Sequence, residues 1–170
     1  MQRAVTLRRA HPPAKRSKTM SRLSRVRYEA QLEDGYCLPA CARMVLAALD
    51  VPLSQQAIAL RLQTSDAGTP FSRLRRLADA NLNVDVQAGG TIEQISTAIA
   101  ADIPVIAAVD ATWLPHAQIE SPHAVVVVNL SASQISILDP AAGNEVIDVP
   151  LDAWLAAWIE MDCIYAVITR

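Results

Sequence analysis

A chain of 170 residues, 52% hydrophobic but only 4% aromatic, is long enough for one domain whose core is built from Ala, Val, Ile and Leu. Its formal net charge of −2 hides an asymmetry: residues 1–27 hold nine Lys or Arg and no acid, and residues 28–170 hold six basic and all 17 acidic residues. No apolar run approaches the ~20 residues of a membrane-spanning helix. The odd number of cysteines, three, speaks against a closed disulfide framework and for a reducing, cytoplasmic compartment.

Taken in chain order, residues 1–27 form a basic tail with Pro12-Pro13 and almost no apolar pattern, expected to be disordered, and residues 28–170 form the folded domain. The tail lacks the apolar stretch of a secretory signal. Three readings of it stand: an extended start with Met20 as the initiator, a segment lying on the acidic domain, or an arm for nucleic acid or anionic lipid, which is the least favoured. Next comes Tyr36-Cys37-Leu38-Pro39-Ala40-Cys41, leading into an apolar run over 44–49. Pro39 is tolerated only in a first helical turn, so Cys37 falls at or just before a helix N-terminus. Ser54 caps a short helix over 55–62. Thr69-Pro70 opens a further helix to about Ala80, with Thr as cap and Pro as first residue.

The second half reads mainly as strands. Val84-Asp85-Val86 is a short strand, and Gly89-Gly90 after it reads as a turn. Thr91-Ile92-Glu93-Gln94 is a capping box for a helix to about Ala101. Strand-like segments follow at 104–109, 124–128, 135–138, 145–149 and 163–169, with a helix over 151–160. Trp154 and Trp158, one turn apart, read as a packed helix face. Helices dominate the first part and an antiparallel sheet the second, an α+β layout.

Three residue types point to chemistry. Cys37 at a helix start meets unpaired N–H groups and the positive end of the helix dipole, which favour the thiolate. Gln31, six residues upstream across a loop containing Gly35, can turn its amide toward the same sulfur as an oxyanion donor. His123 opens one strand and Asp139 ends the next, and the short polar link over 130–134 makes an antiparallel hairpin of them. The two side chains then share one sheet edge, where a carboxylate can fix the imidazole. His116 competes for the base role, but its Pro-containing loop makes exposure the default, so His123 is preferred. Asp110 is the fallback acid, and Cys41 and Cys163 read as core packing. No metal or cofactor is expected.

With these motifs the chain resembles the papain-like cysteine peptidases. The Gln31-x5-Cys37 spacing, Tyr36-Cys37-Leu38-Pro39-Ala40-Cys41, His123 before a valine strand and Leu138-Asp139-Pro140-Ala141 look like the C39 branch, known for cleaving double-glycine leaders. The resemblance covers about residues 28–170 and implies a helical lobe packed on an antiparallel sheet lobe. It implies Cys37 as nucleophile, His123 as general base and acid, Asp139 as orienting acid and Gln31 as oxyanion donor. The implied partner is a peptide or protein substrate, such as a leader or precursor peptide. Acyl transfer or deamidation on the same residues, and a non-catalytic peptide-binding domain, are the alternatives.

Overall fold

The segments that read as strands assemble into one six-stranded antiparallel sheet, in a computed structural model that describes residues 21–118, 121–143 and 145–170. In chain order the strands are β1 (Asn83–Gln87), β2 (Val105–Asp110), β3 (Pro122–Leu130), β4 (Gln134–Leu138), β5 (Ile147–Pro150) and β6 (Tyr165–Thr169). Their spatial order is β1-β6-β2-β3-β4-β5, so β6 is inserted between β1 and β2.

Among the described residues there are four α-helices, α1 (Cys37–Ala48), α2 (Gln55–Leu62), α3 (Ile92–Ala100) and α4 (Leu151–Ile159); α1, α3 and α4 pack on the sheet and α2 packs on α1. On one face Leu38, Cys41, Met44 and Val45 of α1 pack with Ile106, Val126, Leu138 and Ile168. On the other, Ile95 of α3 and Trp154 and Trp158 of α4 pack with Val105, Val125, Val127 and Ile137. Successive valines of β3 therefore enter opposite cores. This explains why the run is unbroken: a sheet with one wet face would alternate apolar and polar residues, whereas this one is dry on both. The expected helical lobe on a sheet is present, with α3 and α4 added on its far side. The two tryptophans stack with ring centroids 4.9 Å apart.

Local chemistry sets the helix starts. The Ser54 side chain accepts the Ala57 N–H, and Thr91 and Gln94 form the reciprocal capping box. The helix expected over 70–80 is instead a 3-10 helix, Phe71–Leu77, with Pro70 outside it in extended conformation. Thr69 does not cap it, because its hydroxyl bonds that of Thr64 at 2.6 Å. The two fully buried residues, Leu74 and Leu77, are three apart, which suits three residues per turn. The last strand begins at Tyr165 rather than Cys163, since Asp162 and Cys163 turn the chain with positive φ of 53° and 48°.

Residues 1–20, most of the basic tail, lie outside the described residues. Residues 21–27 lie on the domain. Asp102 accepts the N–H of Arg22 (2.7 Å) and of Leu23 (3.1 Å) and the Ser21 hydroxyl, Arg25 pairs with Asp50, and Val26 enters the core. Among the described residues no helix is long and apolar enough to cross a membrane.

Candidate active site

Cys37 is the first residue of α1. The loop before it is pinned at three points. The Gln31 N–H donates to the Pro140 carbonyl at 3.0 Å. The Gln55 side chain, only 4% exposed, donates to the Ala30 carbonyl (2.8 Å) and accepts the Leu32 N–H (3.2 Å). Gly35, at φ +78°, lies so close to the turn at 65–68 that a Cβ there would stand 2.7 Å from the Ser65 oxygen. A loop with few apolar anchors is thereby held by hydrogen bonds to α2 and to the segment after β4, and by close backbone packing against the 65–68 turn.

The sheet brings the remaining groups to the same place. α1 packs along β3, and the Cys41 thiol at its first turn donates to the Ala124 carbonyl at 3.3 Å, setting the helix start over the strand start. β3 and β4 pair with Val126 opposite Leu138, so His123 and Asp139 meet at one edge. His123 Nε2 lies 2.7 Å from Asp139 Oδ1, and both residues are buried. With Nε2 engaged, Nδ1 is left for the hydrogen bond between His123 and Cys37. The Asp139 Oδ1 also accepts the Ala141 N–H at 2.9 Å.

Burial opposes charge at all three groups, and partners overcome it. At Cys37 burial favours the neutral thiol, but the His123 imidazole and the N–H groups of Ala124 and Leu38 hold the thiol below its ordinary value. His123 loses by burial and gains more from Asp139 and Cys37, rising to about 9. Asp139 is pushed up by burial but held below the usual carboxylate range by His123, Ala141 and His116. Their arrangement favours a thiolate–imidazolium pair at neutral pH, backed by a carboxylate. Cys41, fully buried beside this pair, is pushed up mainly by burial and stays a thiol.

Cys37, His123 and Asp139 are thus brought together. Gln31 is tied to the Asp139 turn through Pro140, but the groups on the sulfur are His123, Ala124 and Leu38 rather than its amide. Its Oε1 is buried with no hydrogen-bond partner among the described residues. Asp110, the fallback acid, instead accepts the Thr112 N–H at 3.0 Å and caps the short turn Ala111–Trp113. His116, expected to be an exposed loop residue, is a correction: its Nε2 lies 2.9 Å from Asp139 Oδ2. It escaped sequence reasoning because a histidine in an irregular loop carries no periodic signal. Gln55 escaped as well, since nothing local marks a first-turn glutamine as a clamp.

In front of the sulfur lies a cleft of ≈ 480 Å³, with Cys37 and His123 on its floor and Ala67, Pro70, Phe71 and Met161 among its walls. A thiol at a helix start, an imidazole and carboxylate on the facing sheet edge, and this framework of helices on an antiparallel sheet define a papain-like fold. The chain belongs to the Peptidase_C39 like family, whose sequence profile matches residues 23–166. No curated protein matches it in sequence. Among solved structures, a C39-like peptidase candidate from Bacillus anthracis superposes with TM-score 0.74 at 19% identity, over 87% of this chain and 96% of the other. A double glycine motif protease from an AMS/PCAT transporter, solved in complex with its leader peptide, gives 0.61 at 17%, over 83% and 89%. The peptidase domain of Streptococcus ComA, a bifunctional ABC transporter of a quorum-sensing pathway, gives 0.62 at 15%, over 85% and 96%.

Proposed function

We propose that this protein is a cysteine peptidase that hydrolyses a peptide bond through a thioester acyl-enzyme. The observation that carries the reading is the continuous chain from Cys37 through His123 to Asp139, opening on a cleft. Cys37 thiolate attacks the scissile carbonyl carbon, and the electrons of the C=O bond move to oxygen. The Cys37 N–H, free at the first position of α1, meets that oxyanion together with the Gln31 side-chain amide. His123 imidazolium gives its proton to the leaving amine as the C–N bond breaks. Neutral His123 then takes a proton from water, the hydroxide displaces Cys37 from the thioester, and the thiolate–imidazolium pair is restored. Asp139 holds the ring throughout.

The substrate is a peptide segment lying along the cleft, and a leader or precursor peptide is the preferred form. The leader peptide bound to the transporter-derived relative supports that preference. The test is Cys37→Ala, which removes the sulfur. Cleavage of a peptide library and labelling by a thiol-directed electrophile at residue 37 should both vanish. Residual cleavage at the wild-type rate ends the proposal.

A further inference from the structure

Asp139 has two carboxylate oxygens, and they are treated differently. Oδ1 accepts from His123 Nε2 (2.7 Å) and from the Ala141 N–H (2.9 Å), while Oδ2 meets His116 Nε2 at 2.9 Å. His116 comes from the connection between β2 and β3, so a third segment of chain, separate from β3 and from the turn after β4, closes on the same carboxylate. A carboxylate only accepts, so the bond to Oδ2 places a proton on His116 Nε2. The other nitrogen, Nδ1, is buried with no partner among the described residues, which costs less for a bare lone pair than for an N–H. Behind this imidazole lies a second cavity of ≈ 250 Å³, lined by His116, Asp139, Gln118 and Ala142 among others and separate from the substrate cleft.

The Ala141 N–H and His123 both act on Oδ1, so His116 is the one group among the described residues that anchors Oδ2. Without a donor on Oδ2, the carboxylate is anchored at Oδ1 alone and can swing about its Cβ–Cγ bond toward the rear cavity and take water there, which loosens the alignment of Oδ1 with His123. We propose that His116 is a positioning residue, whose Nε2–H holds Asp139 Oδ2 so that Oδ1 stays in line with His123. It touches neither the sulfur nor the cleft and acts through Asp139 alone. The proposal rests on the thiolate–imidazolium reading of Cys37 and His123, but not on the identity of the substrate. A single hydrogen bond to a charged group sets the scale of the effect at about 10- to 100-fold in rate.

The test compares three variants of the full chain. Gln at position 116 can bring an amide N–H to the place of Nε2; Asn is one methylene short, and Phe keeps ring volume without a donor. The readout is the rate of iodoacetamide alkylation at Cys37 at neutral pH, resolved by mass spectrometry from Cys41 and Cys163, together with thermal melting and the low-field proton signal of the His123–Asp139 bond. Alkylation should fall by about 10-fold or more in His116→Asn and His116→Phe, with loss of the low-field signal, and His116→Gln should recover most of the rate. If His116→Phe does not fold, the Gln and Asn pair still decides, since the two differ only in reach. Wild-type rates in folded His116→Asn, or equal losses in Gln and Asn, overturn the proposal. Because alkylation needs no peptide, the peptidase reading can fail, with no peptide cleaved by any variant, while this pattern persists.

Discussion

Gly35 offers the sharpest test of how the loop before Cys37 is held. Its φ is +78°, and an added Cβ would lie 2.7 Å from the Ser65 carbonyl oxygen, 2.9 Å from the Gly68 nitrogen and 3.1 Å from the Gly68 Cα. All three are backbone atoms, so no side chain can swing aside. Alanine in a left-handed conformation costs about 1–2 kcal/mol, and forcing packed backbone apart adds about 1–3 kcal/mol. Gly35→Ala should therefore lose about 2–5 kcal/mol, and for a domain of this size each kcal/mol lowers Tm by about 2–4 °C. Gly89→Ala is the control: its φ is +66°, but nothing lies within 4 Å of its Cβ position, so only the conformational cost applies. The assay is thermal melting of both variants with peptide cleavage measured well below Tm. The 65–68 turn lines the cleft, so KM should rise in Gly35→Ala and not in Gly89→Ala. Equal Tm losses in the two variants would refute the claim that close backbone contact fixes the loop.

Other perturbations read different parts of the site. Asp139→Asn keeps an oxygen for His123 Nε2–H and removes the charge; because the imidazolium carries protons on both nitrogens, the tautomer problem of a neutral triad does not arise, and kcat should fall by only about 10- to 100-fold. A loss near 10⁴-fold would show instead that His123 is neutral at rest. With His123 raised to about 9, the ring keeps its proton, and its ability to protonate the leaving amine, until pH approaches that value. Cleavage should therefore decline on an alkaline limb near pH 9 while iodoacetamide labelling of Cys37 persists, since the thiolate remains; a limb at the ordinary histidine value of about 6.5 contradicts the ion pair. Thr91→Ala removes half of the α3 capping box on the face away from the cleft, and should cost about 1 kcal/mol in melting with kcat/KM unchanged.

What could be read from the chain follows the range of the interactions involved. The start of α1 was legible because Pro39 and the apolar run over 44–49 act within one or two turns. The meeting of His123 with Asp139 was legible too, because a short link forces their strands into a hairpin whose open ends coincide. The 3-10 geometry of Phe71–Leu77 was not, since Thr69 and Pro70 are equally good at opening an α-helix and the choice is made by the burial of Leu74 and Leu77. His116 and Gln55 were least visible. Each acts on a segment more than twenty residues away through one or two hydrogen bonds, and such contacts leave no periodic trace. For Gln31, spacing pointed to a place near the sulfur, but the backbone of its loop is set by Pro140 and Gln55, both distant in sequence.

The position of β6 has a consequence for how this protein comes into being. The sheet is interrupted between β1 and β2 until residues 165–169 are delivered into the gap, where they bond to strands on both sides. A nascent chain with β1 to β5 already outside the ribosome can close the hairpin that carries His123 and Asp139, yet it still presents two bare strand edges. A nick or premature stop just before Tyr165 would leave those edges open to other chains.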